Sequence, residues 1–177
     1  MPAKRPREET QDAKTVATSA PDKSTKYWLM KSEPDAFSID QLQAMKESPW
    51  DGVRNYSARN HMKAMSVGDR VLFYHSNAKP PGVIGLAVVS RTAYPDHTAE
   101  DPKSKYYDAR IATTKKNPWE MVNVKFEKKF DEILSLDFLR NDAALANMVL
   151  FRQGRLSVQP VDAIHFHHIV KLAARRK

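Results

Sequence analysis

Apolar and polar positions alternate along this chain in short blocks, and the blocks predict small strands and helices in an irregular order. Tyr27-Trp28-Leu29-Met30 is an apolar run of strand length, closed by Lys31-Ser32-Glu33-Pro34, where the proline holds Glu33 extended. Over 37–46 the period becomes helical. Ile39, Leu42 and Met45 share one face, Ser38 and Gln41 fit a capping box, and Phe37 with Leu42 fits the accompanying staple. Pro49 closes that helix. Asp51-Gly52 reads as a turn, and Asn55 as the N-cap of a second helix bearing Ala58, His61, Met62 and Met65. Residues 70–75 predict a strand with Leu72 and Tyr74 on one face and Phe73 and His75 on the other.

Residues 83–90 are almost all apolar, which predicts a buried strand in which Gly85 permits a bend or a close backbone approach. A long polar region runs on to Pro118, with one short strand expected at 106–111. Strand character returns at 119–130, where Val122, Val124 and Phe126 alternate with Asn123, Lys125 and Glu127. One or two short helices are expected at 135–147 and a short strand at 156–159. Pro160 then suits the start of a last helix, with Val161, Ile164, His168, Ile169 and Leu172 as its buried stripe. Five or six short strands, small helices between them and no regular βαβ alternation predict an α+β domain with a closed or nearly closed sheet.

The 177 residues suffice for one domain with a hydrophobic core plus tails. Residues 1–25 are too poor in large aliphatics to offset the entropy of ordering and are expected to be a disordered tail. The domain is placed at 26–172, with a basic tail at 173–177. The chain has no cysteine, which removes disulfides and thiolate metal sites and favours an intracellular address. No apolar run approaches the roughly 18 residues of a membrane span. The net charge of +8 divides unevenly: residues 1–25 carry +1 and residues 171–177 carry +4, which leaves +3 for the body. Nucleic acid is a plausible partner, but tight charge-driven duplex binding is not indicated. Lys4-Arg5-Pro6-Arg7 fits a nuclear import signal and equally a solvated tail.

The residues that could carry catalysis fall into no recognised motif. His165-Phe166-His167-His168 looks metal-like, but helical positions i and i+2 point apart and no acid sits four residues from His165 or His168, so no metal and no cofactor are expected. His75-Ser76 and Asp96-His97 hold the atoms of an acid–base site without any pattern that fixes their geometry. Phosphate-loop and nucleophile-elbow patterns are absent. Chemistry concentrates instead in residues 50–60, where Trp50, Arg54, Asn55, Tyr56 and Arg59 fall within eleven positions. Two readings stand side by side: a polar, aromatic-walled site, or a core Trp50 and Tyr56 with Arg54 paired to Asp51. Elsewhere aromatics and cations recur beside loop ends: Trp28 with Ser32, Tyr74 with His75 and Ser76, Trp119, and Arg152 with Arg155. Stacking faces interleaved with phosphate-binding side chains are what recognition of an unpaired base requires.

The blocks at 27–34, 50–56, 58–60, 73–77, 93–96 and 155–160 together resemble the EVE domain family, over about residues 26–172. The resemblance implies a PUA-like mixed β-barrel of five to six strands flanked by short helices. It also implies a non-enzymatic reader of a modified base, in DNA or RNA, that holds the flipped base in an aromatic-walled pocket. Carried over by motif, Trp28, Trp50 and Tyr74 are the candidate walls, and Ser32, Asn55 and Ser76 the candidates for reading base edges. Lys31, Glu33, His75 and Trp119 are assigned to the rim, with Arg54, Arg59, Arg152 and Arg155 on backbone phosphates; for Trp119 a core role is equally open. Gly154 departs from the family pattern, which often has a further Arg or Gln in that turn. The expected partner is nucleic acid carrying a modified base, bound by a monomer. An enzyme acting on a modified base or RNA through His75 and Asp96, and a protein-interaction domain, are the alternatives.

Overall fold

The computed structural model describes residues 24–176. The basic run Lys4-Arg5-Pro6-Arg7 and nearly all of the expected N-terminal tail lie outside the described residues. Six strands form one sheet: β1 (Tyr27–Ser32), β2 (Glu47–Trp50), β3 (Arg70–His75), β4 (Gly82–Pro95), β5 (Glu120–Ser135) and β6 (Val158–Val161). Their order is β2-β5-β4-β3-β1-β6. All neighbours are antiparallel except β1 and β3, which pair in parallel with Trp28 opposite Val71. Helices α1 (Ile39–Met45), α2 (Tyr56–Lys63), α3 (Arg110–Thr114), α4 (Leu136–Arg140), α5 (Val149–Arg152) and α6 (Ala163–Arg175) surround the sheet. The α+β class and the barrel-like sheet are those the sequence predicts. No ladder joins β2 to β6, so the sheet stays open; α2, which touches β4, β5 and β6, spans the gap.

Strand parity divides the core in two. Trp28, Met30, Val71 and Phe73 point to the side of α1 and α2, while Tyr27, Leu29, Leu72 and Tyr74 point to the side of α6. The expected faces of β3 are the observed ones. Gly85 performs the close approach expected of it. A Cβ there would collide with the Lys128 carbonyl oxygen and meet the Ile39 side chain at 3.1 Å. Helix α1 carries the predicted capping box: Ser38 Oγ accepts from the Gln41 N–H at 3.1 Å and Gln41 Oε1 accepts from the Ser38 N–H at 2.7 Å.

The structure differs from the expectation in four places. Pro49 does not close α1, which ends at Met45 with Lys46 at positive φ; it lies inside β2 at the sheet edge, where a missing N–H breaks no ladder. Pro160 does the same in β6, the opposite edge, opposite Trp28; the last helix begins only at Ala163. That delay rotates the buried stripe to His165, Phe166, Ile169 and Ala173 and leaves Ile164 75% exposed. No strand forms at 106–111. The Asp108 carboxylate accepts the Arg110 N–H at 3.1 Å and starts α3 in its place. Met45, expected on the face of Ile39 and Leu42, is exposed.

Candidate functional site

Where β2 ends, the chain turns through Gly52, and an open cleft of about 890 Å³ lies between this turn, the end of β1 and the loop after α5. Gly52 has φ +75°, and a Cβ on it would sit 2.6 Å from the Tyr106 ring, so the turn requires glycine twice over. Tyr106 thereby lies directly on the turn and forms part of the wall. Trp50 forms another part. Its ring packs edge-on against Phe73 at 5.3 Å and Phe37 at 6.0 Å between centroids. Among the described residues no group accepts its indole N–H, and no buried side-chain nitrogen or oxygen lacks a partner. The Trp50 N–H must therefore reach the cleft or solvent.

The turn is held from beneath by Asp96, which is fully buried. Its carboxylate accepts the Gly52 N–H at 2.9 Å, the Arg54 Nη1 at 2.7 Å, and the Thr98 N–H and hydroxyl at 2.9 and 2.6 Å. Burial would raise the Asp96 pKa. The hydrogen bonds from Thr98, Arg54 and Gly52, aided by the Arg54 charge, overcome that and hold it below the ordinary carboxylate value. Arg54 also donates to the carbonyls of Tyr106 and Val53 and to Thr98 Oγ1. Its partner is thus Asp96, 42 residues on, and not Asp51. Asp51 lines the cleft, and although the residue keeps an exposed surface, burial of its carboxyl and then the nearby Asp96 charge push its pKa up.

On the opposite side Lys31 Nζ donates to the Gly154 carbonyl at 2.6 Å and lies 5.2 Å from the centre of the Tyr74 ring. Burial lowers the Lys31 pKa. Arg155 and Lys105 add cations to the rim, and Glu33 adds a carboxylate that accepts from Asn77 Nδ2 at 3.4 Å.

Of the fourteen site residues expected from the sequence, the cleft brings together Lys31, Ser32, Glu33, Trp50, Arg54, Ser76 and Arg155. The other seven do not line it. Trp28 is sealed, with its indole N–H donated to the buried Asp69 at 2.9 Å and its ring beside His61. It forms no wall. Tyr74 faces the other side of the sheet, so it forms none either. Asn55 is the predicted N-cap, and its Oδ1 is spent on the Ala58 N–H at 3.0 Å. His75 Nε2 accepts the Ile39 N–H at 3.2 Å and so caps the start of α1. Trp119 is buried, donates to Asp108 at 2.8 Å and stacks on the exposed Tyr56 at 4.8 Å. Arg59 binds the Pro118 carbonyl and Asn60, and Arg152 the Asn147 carbonyl. Phe37, Asp51, Lys105, Tyr106 and Ser157 enter the cleft without having been singled out. Asp51 had a visible signal, a polar residue directly after the wall tryptophan; Tyr106 had none, because its place depends on a loop more than 50 residues away.

The three histidines of 165–168 look to three different partners: His165 to Asp162, His167 to the Tyr27 hydroxyl and His168 to Asp142. His75 and Asp96, the pair an acid–base mechanism would need, are each engaged with backbone of a different segment.

Comparison with known proteins places this geometry. The sequence profile of the EVE domain matches residues 26–172. Thymocyte nuclear protein 1 from Rattus norvegicus is 41% identical over 166 residues, covering 82% of this chain and 73% of the relative. The Homo sapiens protein of that name is 38% identical over 186 residues, covering 93% and 82%. Among solved structures, a hypothetical protein from Leishmania major is 56% identical with a TM-score of 0.83, covering 86% of this chain and 97% of its own. Human THYN1 in complex with 5-methylcytosine-containing DNA is 37% identical with a TM-score of 0.80, covering 86% and 100%. A match over nearly all the described residues, carried by ordered blocks of sequence and by the same fold, makes this chain a member of the EVE domain family.

Proposed function

We propose that this chain is a DNA-binding module that takes a modified base out of its stack and holds it in the Trp50 cleft, with 5-methylcytosine as the base. The observation that carries the reading is the cleft itself. It combines the Trp50 indole, largely covered but with an N–H that no described residue accepts, further aromatic walls in Phe37 and Tyr106, and a rim of Lys31, Lys105 and Arg155. Its volume lies within the roughly 300–1,000 Å³ of small-molecule sites. The human relative bound to 5-methylcytosine-containing DNA supports the same ligand class for this chain. Ser32 and Ser76 serve as edge readers, and Lys31 and Arg155 hold flanking phosphates. Arg54 contributes by fixing the turn, because four hydrogen bonds already occupy its guanidinium.

Extruding the base costs a few kcal/mol, which stacking at roughly 1–3 kcal/mol per base and contacts to the added methyl must offset. Fluorescence-anisotropy titration of the full chain with duplexes differing in one 5-methyl group tests this. The methylated duplex binds more tightly, and Trp50→Ala removes the difference. Equal affinity of the wild-type chain for both duplexes would exclude the reading. The nuclear names of the relatives and the basic run Lys4-Arg5-Pro6-Arg7 support a nuclear location, which imaging of a tagged chain with that run neutralised would check.

A further inference from the structure

A cavity fitted to the methyl group of 5-methylcytosine accepts thymine equally well, because both are pyrimidines bearing that methyl at C5. They differ on the pairing edge. Cytosine presents an N4 amine donor where thymine presents an O4 acceptor. Thymine is abundant in every duplex, so a reader of 5-methylcytosine needs a group that attracts the amine and repels the carbonyl. Carboxylates do both.

Three carboxylates lie at or under the cleft, and two are already engaged. Asp96 is fully buried and accepts four hydrogen bonds from Gly52, Arg54 and Thr98. Glu33 stands at the rim and accepts from Asn77. Asp51 lines the cleft and is the residue next to Trp50. Among the described residues no other side chain donates a hydrogen bond to it or forms an ion pair with it; its acceptor capacity is met only from its own backbone. The Gly52 turn fixes its backbone, since the Gly52 N–H is tied to Asp96 and the Tyr106 ring lies against the glycine. A rigid turn thus presents a carboxylate with free lone pairs one residue from the stacking wall.

We infer that Asp51 is the specificity-determining residue of this cleft, accepting from the exocyclic amine of a cytosine-type base stacked at Trp50 and excluding thymine by repulsion of its O4. The inference rests on the base-reading function proposed above and adds to it which edge is read and by what. Asp51→Asn keeps the shape and replaces one oxygen with an amine that can donate to O4.

The test titrates wild type, Asp51→Asn and, as a carboxylate-to-amide control on the exposed Asp131 outside the cleft, Asp131→Asn, with duplexes that carry 5-methylcytosine, cytosine or thymine opposite one abasic site, so that no pairing partner differs. Wild type and Asp131→Asn favour 5-methylcytosine over thymine by about tenfold or more. Asp51→Asn brings the two within about twofold, chiefly by gaining affinity for thymine. A purely structural role would weaken both ligands alike, and that result, or an unchanged ratio, would overturn the inference. If wild type prefers 5-methylcytosine to cytosine while Asp51→Asn leaves the thymine ratio intact, base reading stands and only Asp51 falls. Absence of any preference for 5-methylcytosine over cytosine in wild type removes both.

Discussion

Trp28 and Trp50 are both candidate pocket walls in the sequence, and the fold uses them in opposite ways. Both indoles are almost fully covered, at 4% and 6% exposure, and both belong to the core on the α1–α2 side of the sheet. What separates them is the destination of one N–H. That of Trp28 goes to Asp69, which also accepts the backbone N–H groups of Lys26 and Ser66 and so ties the start of β1 to the turn before β3. That of Trp50 goes to no group among the described residues. A buried indole with a carboxylate partner is a closed structural unit, whereas one with an unclaimed donor at a cavity wall is available to a ligand. Burial alone would not have told them apart.

The sharpest way to break this comparison is at the hydrogen bonds. Asp69→Ala leaves three donors without their acceptor, two of them backbone groups, and is expected to cost about 3 kcal/mol of unfolding free energy. Trp28→Phe removes the donor, worth about 1–3 kcal/mol, together with part of the buried ring, a loss of volume that Trp50→Phe shares. Trp50→Phe loses no protein hydrogen bond, so its stability changes less than that of Trp28→Phe while its affinity for methylated duplex falls. Urea denaturation and anisotropy on the same samples read both. A Trp28→Phe chain that folds as well as wild type but binds methylated DNA more weakly would reverse the assignment.

A smaller effect comes from pH, and it separates the two regions by their histidines. Burial holds the His75 pKa below its ordinary value, and the neutral ring accepts the Ile39 N–H at the start of α1, close behind the cleft. Burial likewise lowers the His61 pKa beside Trp28. For a histidine whose folded pKa is depressed, the unfolded chain takes up the proton first. Stability is therefore intact above about pH 6.5, falls as pH drops below that value, and levels off beneath the folded pKa. His75→Gln retains an acceptor for Ile39 without a titrating group. It is expected to flatten the part of the decline between pH 7 and 5 that belongs to α1 and to leave the part due to His61. A decline unaltered by His75→Gln would mean that the α1 cap does not titrate.

How much of this was legible in the chain depends on the range of the interaction. The Ser38–Gln41 box, the Asn55 cap and the faces of β3 are set by neighbours within a few positions or by the period of one strand, and the sequence predicts all of them. The partners that decide which aromatic is a wall lie far away: Asp69 is 41 residues from Trp28, Asp96 is 42 from Arg54, and the Tyr106 carbonyl is 52 from Arg54. No local pattern encodes such pairings. The misplaced prolines, Pro49 and Pro160, share a second cause. Proline ends a helix or an inner strand, but both of these residues sit on sheet edges, and whether a strand is an edge is a property of the whole sheet.

The two sides of the cleft also differ in how much change they tolerate, and the smallest expected effect lies there. On the Gly52 side an added methyl meets the Tyr106 ring at 2.6 Å on a backbone with φ +75°. On the Gly154 side it meets nothing within 4 Å, and the carbonyl bonded to Lys31 Nζ is untouched by a side chain at that position. Gly154→Ala therefore removes conformational freedom from the unfolded chain without a steric cost, and is expected to raise stability by about 0.4–1 kcal/mol. Its affinity for methylated duplex stays within about twofold of wild type, because the substitution adds no bulk against a neighbour and leaves the charge of Arg155 in place. A gain in thermal midpoint with unchanged affinity marks this edge as a passive border. A gain in stability accompanied by a severalfold loss of affinity would instead mean that the loop after α5 has to rearrange when DNA enters, and that the cleft is built as much from that motion as from the rigid Gly52 turn.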